Sequence, residues 1–289
     1  MTQYEEYRYR SADGRLDLFA RDYPGQEGLG RMPLLLMHGL TRNSADFEPL
    51  VPHLPDYRLI VPDQRGRGRS DWDDNSGNYH VGVYAADMFA LMDGLGIDRF
   101  GIVGTSMGGL IGMAMGLAAP GRIAALVLND IGPAIDEEGL DRIRGYVGSA
   151  PPARDWEEAA ARIAAVNHSA FPDFTQADWI AFARRTCEEG ADGVQSAYDP
   201  AIAVGMEPGA DAVVPDDPWP IWSQLSDTPA LVVRGGLSDL LSAQTVARMA
   251  AEHKAPFTSV EVPNRGHAPL LDEPEVLAAL LPFMHEYAQ

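Results

Sequence analysis

Short apolar runs alternate with amphipathic segments along most of the chain. The runs are brief and continuous, which is typical of parallel strands that are covered by helices on both faces. Between them, residues 47–54 and 84–95 carry apolar side chains at helical spacing. The pattern predicts an α/β fold with a mostly parallel central sheet flanked by helices. The predicted parallel strands are residues 34–37, 59–61, 101–103, 124–128, 230–233 and 259–262.

The beginning of the chain predicts a different arrangement. Residues 4–11 and 16–23 flank the dipeptide Asp13-Gly14, which favours a tight hairpin turn. We therefore expect an antiparallel hairpin before the parallel strands.

The alternation stops after Pro133 and resumes near Pro229. A connection of this length without structure of its own is rare in a compact domain, and no strand pattern is evident in it. Helical spacing follows Asp155, and a capping box predicts a helix start at Thr175. We therefore expect a core domain made of residues 1–133 and 229–289, with a helical cap inserted at 134–228.

Tryptophan is concentrated in the predicted cap. Trp156, Trp179 and Trp222 lie in it or near its exit, together with Trp219. Two interpretations stay open: these rings line an apolar substrate pocket under a lid, or they anchor the insertion to the core.

The segment around Ser106 predicts a strand, a tight turn and a helix. Gly104, Ser106 and Gly108 fit the G-x-S-x-G nucleophile elbow, in which small neighbours let the backbone present a serine hydroxyl above the sheet. The uncharged residues 101–119 are also compatible with a membrane helix, but they are mainly small and lack aromatic or basic anchors at their ends. Ser106 is therefore the candidate nucleophile.

A serine hydroxyl needs a base, and the base needs an acid that orients it. His267 follows the last predicted strand and Asp239 follows the strand before it, so both lie at the same sheet edge as Ser106. Asp130 ends the strand after the elbow helix and competes for the role of acid. Asp239 is preferred because it matches a later G-x-x-D pattern.

The order Ser106, Asp239, His267, with the elbow after a central strand and an insertion before the acid, resembles the α/β-hydrolase family. His38-Gly39 and the segment 63–70 add to the resemblance. It implies an oxyanion hole built from the backbone N–H groups of Leu40 and Met107, and a supporting rather than catalytic role for His38.

Two arginines are candidates for substrate binding. Arg42 and Arg65 lie near the pocket mouth that the resemblance implies. A guanidinium group at that position can hold a substrate carboxylate. The tryptophans Trp156, Trp179 and Trp222 complete the set of candidate substrate contacts.

Composition excludes several classes of function. The net charge of −20 on 289 residues disfavours nucleic acid, and Cys187, the single cysteine, excludes a disulfide framework within the chain. No dinucleotide, phosphate-loop or histidine metal motif occurs. We expect a small-molecule substrate, no cofactor, no metal and no membrane partner. The polar start predicts no signal peptide and thus a cytoplasmic protein, either monomeric or homodimeric.

A serine at position 106 favours acyl transfer to water over the carboxylate chemistry of haloalkane dehalogenases and epoxide hydrolases. The resemblance therefore implies a serine hydrolase that cleaves a small or medium carboxylic ester or lactone through an acyl-serine. The segments 38–50 and 61–71 also resemble hydrolases of ring-cleavage products, so cleavage of a carbon–carbon or amide bond is the alternative. A cofactor-free oxygenase or perhydrolase is more distant, and a ligand-binding protein that retains the pocket is the non-enzyme alternative.

Overall fold

The computed structural model of the protein describes residues 2–26, 28–148, 150–206 and 217–289. The strands in these residues are β1 (Glu5–Arg10), β2 (Asp17–Tyr23), β3 (Leu34–Met37), β4 (Leu59–Asp63), β5 (Phe100–Thr105), β6 (Ile123–Asn129), β7 (Cys187–Gly190), β8 (Gly193–Ser196), β9 (Ala230–Gly235) and β10 (Phe257–Val262). The α-helices are α1 (Val81–Gly94), α2 (Met107–Ala118), α3 (Glu137–Arg144), α4 (Trp156–Asn167), α5 (Gln176–Thr186), α6 (Trp219–Gln224), α7 (Ala243–Glu252) and α8 (Pro274–Tyr287).

Eight strands form one sheet in the order β1-β2-β4-β3-β5-β6-β9-β10. The neighbouring strands β4, β3, β5, β6, β9 and β10 pair in parallel. In contrast, β1 and β4 are both antiparallel to β2. The predicted parallel sheet and the N-terminal hairpin are both confirmed. The hairpin turn contains Gly14 at φ 71°, a conformation that glycine adopts without steric cost.

The strands are apolar throughout because both faces of the sheet are covered. Leu35 and Met37 face a cluster that includes residues of α1, α2 and α7. Leu34 and Leu36 face the opposite side, where α8 and residues 47–54 pack. Side chains of successive strand residues point to opposite faces. When helices cover both faces, every position of the strand is buried and favours an apolar residue.

The predicted helix at 47–54 is wrong in its type. Two short 3₁₀ helices, Ser44–Phe47 and Val51–His53, occupy this part of the chain. The Asn43 side chain caps the first of them, and Pro52 in the second lacks the N–H that a longer helix would use. The apolar spacing still buries this segment against the sheet. The second predicted helix is confirmed as α1.

The insertion between β6 and α6, called the cap below, contains the helices α3, α4 and α5 and also an antiparallel hairpin of β7 and β8. The absence of strands predicted there is therefore wrong. Each of these strands has four residues and most of its side chains are accessible, so no apolar alternation marks it in the sequence. The predicted helix starts are confirmed: Asp155 caps α4, and Thr175 and Asp178 form a capping box on α5.

The helix α6 packs on the core, although it lies within the predicted cap range 134–228. The Trp222 side chain is fully buried, its indole N–H donates to the Met249 carbonyl at 3.0 Å, and its ring stacks on His253. Leu225 contacts α2 at Gly116. No helix in the described part of the chain combines the length and apolar character needed to cross a membrane.

Candidate active site

Ser106 stands alone between the end of β5 and the start of α2. Its backbone has φ 51° and ψ −116°, a conformation that is costly for a residue with a side chain. A Cβ atom on Gly108 would collide with the Met37 carbonyl, and one on Gly104 would collide with the backbone of Gly108. The glycines of the G-x-S-x-G motif are thus required by close backbone packing, which holds the serine in its strained position.

His267 joins Ser106 to a buried acid. Its Nε2 lies 2.7 Å from Ser106 Oγ, and its Nδ1 lies 2.7 Å from Asp130 Oδ2. The His267 side chain is nearly buried and Asp130 is fully buried. The three side chains therefore form a continuous hydrogen-bonded series from hydroxyl to carboxylate.

The backbone and a neighbouring hydroxyl fix the Asp130 carboxylate. Its Oδ1 accepts the Gly235 N–H at 2.7 Å, and its Oδ2 accepts the Ser238 hydroxyl at 2.6 Å. Asp130 directly follows β6, and its own N–H donates to the Val233 carbonyl at 2.7 Å. A buried carboxylate with this many donors stays in one orientation, which in turn orients the imidazole.

The structure corrects the expected contact between Asp239 and His267. Asp239 instead receives two hydrogen bonds from Arg142 of α3, from Nε at 2.5 Å and from Nη2 at 2.9 Å. Burial alone would raise the pKa of Asp239, but the hydrogen bonds and the charge of Arg142, with smaller contributions from the backbone and His267, together lower it. In the loop after β9, the Ser238 hydroxyl donates to Asp130, whereas the Asp239 side chain points toward α3. Residue spacing does not show which of the two acids faces the histidine.

The two backbone groups expected to form an oxyanion hole lie in suitable segments. Met107 begins α2, and the first N–H groups of a helix have no partner within it. The loop containing Leu40 passes beside the serine, since a Cβ placed on Gly39 would be 3.8 Å from Ser106 Cβ. Both N–H groups therefore belong to backbone that borders the Ser106 side chain.

His38 supports this loop from the interior. Its Nδ1 lies 2.7 Å from the Gly39 carbonyl, and its Nε2 is 3.1 Å from the Gln64 N–H. Burial lowers the pKa of His38 to about 4. The neutral ring donates at Nδ1 and accepts at Nε2, which ties the loop after β3 to the loop after β4.

Arg67 contacts both segments expected to form the oxyanion hole, which the sequence did not indicate. It is fully buried, its Nε donates to the Leu40 carbonyl at 3.0 Å, and its Nη2 lies 3.7 Å from Met107 Sδ. Its Nη1 donates to the Tyr84 hydroxyl at 2.8 Å. One guanidinium group thus contacts both residues of the expected oxyanion hole. The only signal in the sequence is its place in the basic segment 65–69.

A cavity of about 180 Å³ lies between the loop after β3 and the cap. Arg42 lines it, pairs with Asp46 at 2.7 Å and lies 4.2 Å above the Phe182 ring. A Cβ on Gly39 would be 3.7 Å from Arg42 Cγ, so Arg42 and Ser106 are neighbours across that glycine. The wall also includes Tyr146, Ile163, Phe182, Cys187, Val194 and Tyr198.

The other predicted substrate contacts do not line this cavity. Arg65 is fully buried and pairs with Asp73 at 2.6 Å and Asp87 at 2.8 Å. Its charge is therefore neutralised inside the core domain and is not available to a substrate. Arg65 and Arg67 are buried, whereas Arg69 is exposed. Nothing in the sequence of the segment 65–69 distinguishes the two buried arginines from the exposed one.

The tryptophans act as anchors in the structure. Trp156 donates to Glu189 at 2.8 Å on the cap surface, and Trp179 packs with Phe171 in the apolar cluster of the cap. Trp222 belongs to α6, and its side chain packs into the core. Among the described residues, no three His, Cys, Asp or Glu side chains lie close enough together to hold a metal ion.

Comparison with known proteins decides the family. The family model described as alpha/beta hydrolase fold matches residues 32–274. The chain belongs to the α/β-hydrolase family. A crystal structure of an alpha/beta hydrolase from Novosphingobium aromaticivorans has 41% sequence identity and a TM-score of 0.89, and the alignment covers 99% of both chains.

Two curated relatives of this α/β hydrolase are named for their reactions. A 3-hydroxybutyrate-oligomer hydrolase from Cupriavidus necator is 36% identical over 252 residues, which is 85% of each chain. A 2-(acetamidomethylene)succinate hydrolase from Mesorhizobium japonicum is 29% identical and covers 88% of this chain and 86% of its own. The protein is thus an enzyme of the α/β-hydrolase type.

Proposed function

We propose that this enzyme hydrolyses a short carboxylic ester through an acyl-serine intermediate on Ser106. The observation that carries the proposal is the hydrogen-bonded series Ser106–His267–Asp130, in which both hydrogen bonds measure 2.7 Å. A serine joined to a histidine, which is itself held by a buried carboxylate, is the arrangement that activates a hydroxyl for acyl transfer.

In the first half of the reaction, Ser106 Oγ attacks the ester carbonyl while His267 Nε2 accepts the hydroxyl proton. Asp130, already bound to Nδ1, stabilises the imidazolium that forms. The N–H groups of Leu40 and Met107 receive the oxygen that gains negative charge, and each such donor contributes about 3 to 4 kcal/mol. His267 then protonates the departing alcohol oxygen, leaving an acyl group on Ser106.

In the second half, a water molecule takes the place of the alcohol. His267 removes its proton as the water attacks the acyl carbonyl, and the same oxyanion donors stabilise the second tetrahedral intermediate. Collapse of that intermediate returns the proton to Ser106 Oγ and releases the carboxylic acid. The free enzyme is thereby restored without any cofactor entering these steps.

The relatives support an ester as the bond that is cleaved. The more similar of the two curated relatives is named for hydrolysis of 3-hydroxybutyrate oligomers, which are linear esters of a short hydroxy acid. The cavity of about 180 Å³ beside Arg42 suits a small substrate rather than a polymer chain. The second candidate is amide or carbon–carbon hydrolysis by the same residues, which the less similar succinate-derivative hydrolase favours.

The proposal is tested with p-nitrophenyl butyrate and a serine-directed fluorophosphonate. The wild-type enzyme and Ser106→Ala are compared with Ser259→Ala, a control at an exposed serine on β10. We expect turnover and a label mapped to Ser106 in the wild type and the control, and neither in Ser106→Ala. Labelling without ester turnover would favour the amide or carbon–carbon alternative. Absence of both in the wild type would overturn serine chemistry.

A further inference from the structure

Among the described residues, the cavity beside the active site is lined by positive and not by negative side chains, although the protein as a whole is negative. The chain has a net charge of −20, yet the described residues that line this cavity include Arg42 and Arg162 and no aspartate or glutamate. Arg162 is already engaged with Glu158 at 2.8 Å and with the Pro151 carbonyl. Arg42 uses only Nη1 in its ion pair, so it keeps more donors for a ligand than Arg162 does.

Arg42 is held in place at one end of its guanidinium group. Its Nη1 donates to Asp46 at 2.7 Å, and its plane lies over the Phe182 ring. Among the described residues, neither Nε nor Nη2 of Arg42 has a hydrogen-bond partner. A guanidinium group binds a carboxylate through two parallel N–H donors, and these two nitrogens remain for that purpose.

A second cation increases the local positive charge. The Arg185 guanidinium lies 5.9 Å from the centre of the same Phe182 ring. Its Nε is buried without a hydrogen-bond partner, and no carboxylate of the described residues forms an ion pair with it. Burial lowers the pKa of Arg185. Arg185 thus adds a partly buried positive charge near Arg42, which the Asp46, Glu48 and Asp272 carboxylates influence through space without an ion pair among the described residues.

We propose that Arg42, supported by the charge of Arg185, binds a carboxylate of the ester substrate. The inference rests on the proposed function, because it places this carboxylate next to the ester that Ser106 attacks. A Cβ on Gly39 would lie 3.7 Å from Arg42 Cγ and 3.8 Å from Ser106 Cβ, so the two side chains start on either side of one glycine and the proposal places the carboxylate in the same substrate as the reacting carbonyl. The substrate class is a short anionic ester, such as an acylated hydroxy acid with a free carboxyl end.

The kinetic test uses the linear dimer of 3-hydroxybutyrate and its neutral terminal amide. We expect the wild type to prefer the acid by about 10- to 100-fold in kcat/KM, the range for a charge-assisted hydrogen bond. Arg42→Met combined with Asp46→Asn, which leaves no unpaired buried carboxylate, should abolish most of the preference. Arg10→Met, at an exposed ion pair on β1, is the control and should retain it.

A binding measurement separates this inference from the proposed reaction. Calorimetry with Ser106→Ala, which cannot form the acyl-enzyme, compares the affinity for the acid and the amide. Tighter binding of the acid supports the inference even where the wild type hydrolyses neither compound, an outcome that would overturn the proposed function alone. Equal affinity overturns the inference even where ester hydrolysis is observed.

Arg185→Met keeps the test informative if the double variant does not fold. This substitution breaks no ion pair among the described residues, so it removes the second charge at little structural cost. We expect the preference for the acid to fall at least threefold, because charge in a partly buried site is weakly screened. An unchanged preference in Arg185→Met would show that Arg185 does not contribute to carboxylate binding. An unchanged preference in the Arg42 variant would overturn the inference.

Discussion

Asp239 and Arg142 form a two-point ion pair that joins the loop after β9 to helix α3. The carboxylate oxygens lie 2.5 and 2.9 Å from Nε and Nη2 of the arginine, and both side chains are about a quarter exposed or less. The backbone adds a hydrogen bond from the Gly139 N–H to the Asp239 carbonyl at 3.0 Å. This contact fixes the start of the cap beside the loop whose Ser238 hydroxyl binds Asp130.

Loss of this ion pair should loosen the cap rather than impair the chemistry. In Arg142→Met we expect KM for a p-nitrophenyl ester to rise about three- to tenfold with kcat changed less than threefold, because Tyr146 of the cavity wall follows α3. The expected loss of stability is about 1 kcal/mol, as the pair is partly exposed. Steady-state kinetics checks this against Arg248→Met on α7. A fall in kcat with unchanged KM would contradict it.

Arg67 should act on catalysis through the loop it holds. Arg67→Lys keeps the positive charge but loses the planar guanidinium group, whose separate nitrogens contact both the Leu40 carbonyl and the Met107 sulfur. We expect kcat to fall about tenfold, a fraction of the effect of losing one oxyanion donor, while KM changes little. Arg69→Lys, at an exposed pair with Glu6, is the matched control. A variant whose stability falls while kcat is unchanged would show that Arg67 is structural only.

The elbow should tolerate no side chain at position 108. In Gly108→Ala the new methyl group meets the Met37 carbonyl, which belongs to the sheet and cannot move aside. We expect at least about 3 kcal/mol loss in the free energy of unfolding, measured by urea titration. Gly121→Ala has open space around the added carbon and should change stability by less than about 0.5 kcal/mol. Equal effects of the two substitutions would contradict the packing argument.

His38 should make the fold less stable in mild acid. Its pKa is lowered from 6.5 to about 4 in the folded protein, so between these values the unfolded chain binds the proton more readily. Stability is therefore lost as the pH falls through this interval, by at most about 1.4 kcal/mol per pH unit. His38→Gln should give a flatter dependence in urea titrations from pH 6.5 to 4.5. Parallel curves for the two proteins would refute a neutral buried His38.

The sequence was sufficient to predict the sheet and two of the three residues in the hydrogen-bonded series Ser106–His267–Asp130. Continuous apolar runs identify parallel strands because both faces are buried, and the glycines around Ser106 identify the elbow. His267 follows from its place after the last strand. These features depend on local chemistry or on the order of elements along the chain.

The features that the sequence did not reveal depend on side-chain direction. Asp130 and Asp239 both end strands at the same sheet edge, and the choice between them is made by a loop that turns Asp239 toward Arg142. Trp222 lies within the predicted cap range, but as part of α6 its side chain turns into the core and donates to the Met249 carbonyl. The hairpin of β7 and β8 is too short and polar to leave an alternating pattern.

The most direct test of the account compares Asp130→Asn with Asp239→Asn in the hydrolysis of p-nitrophenyl butyrate. Asparagine keeps the shape of either side chain but cannot stabilise the imidazolium or hold its tautomer. We expect kcat to fall by about 10⁴-fold in Asp130→Asn and by less than about tenfold in Asp239→Asn, which removes a cap contact only. A large loss in Asp239→Asn with near-normal turnover in Asp130→Asn would contradict the Ser106–His267–Asp130 assignment.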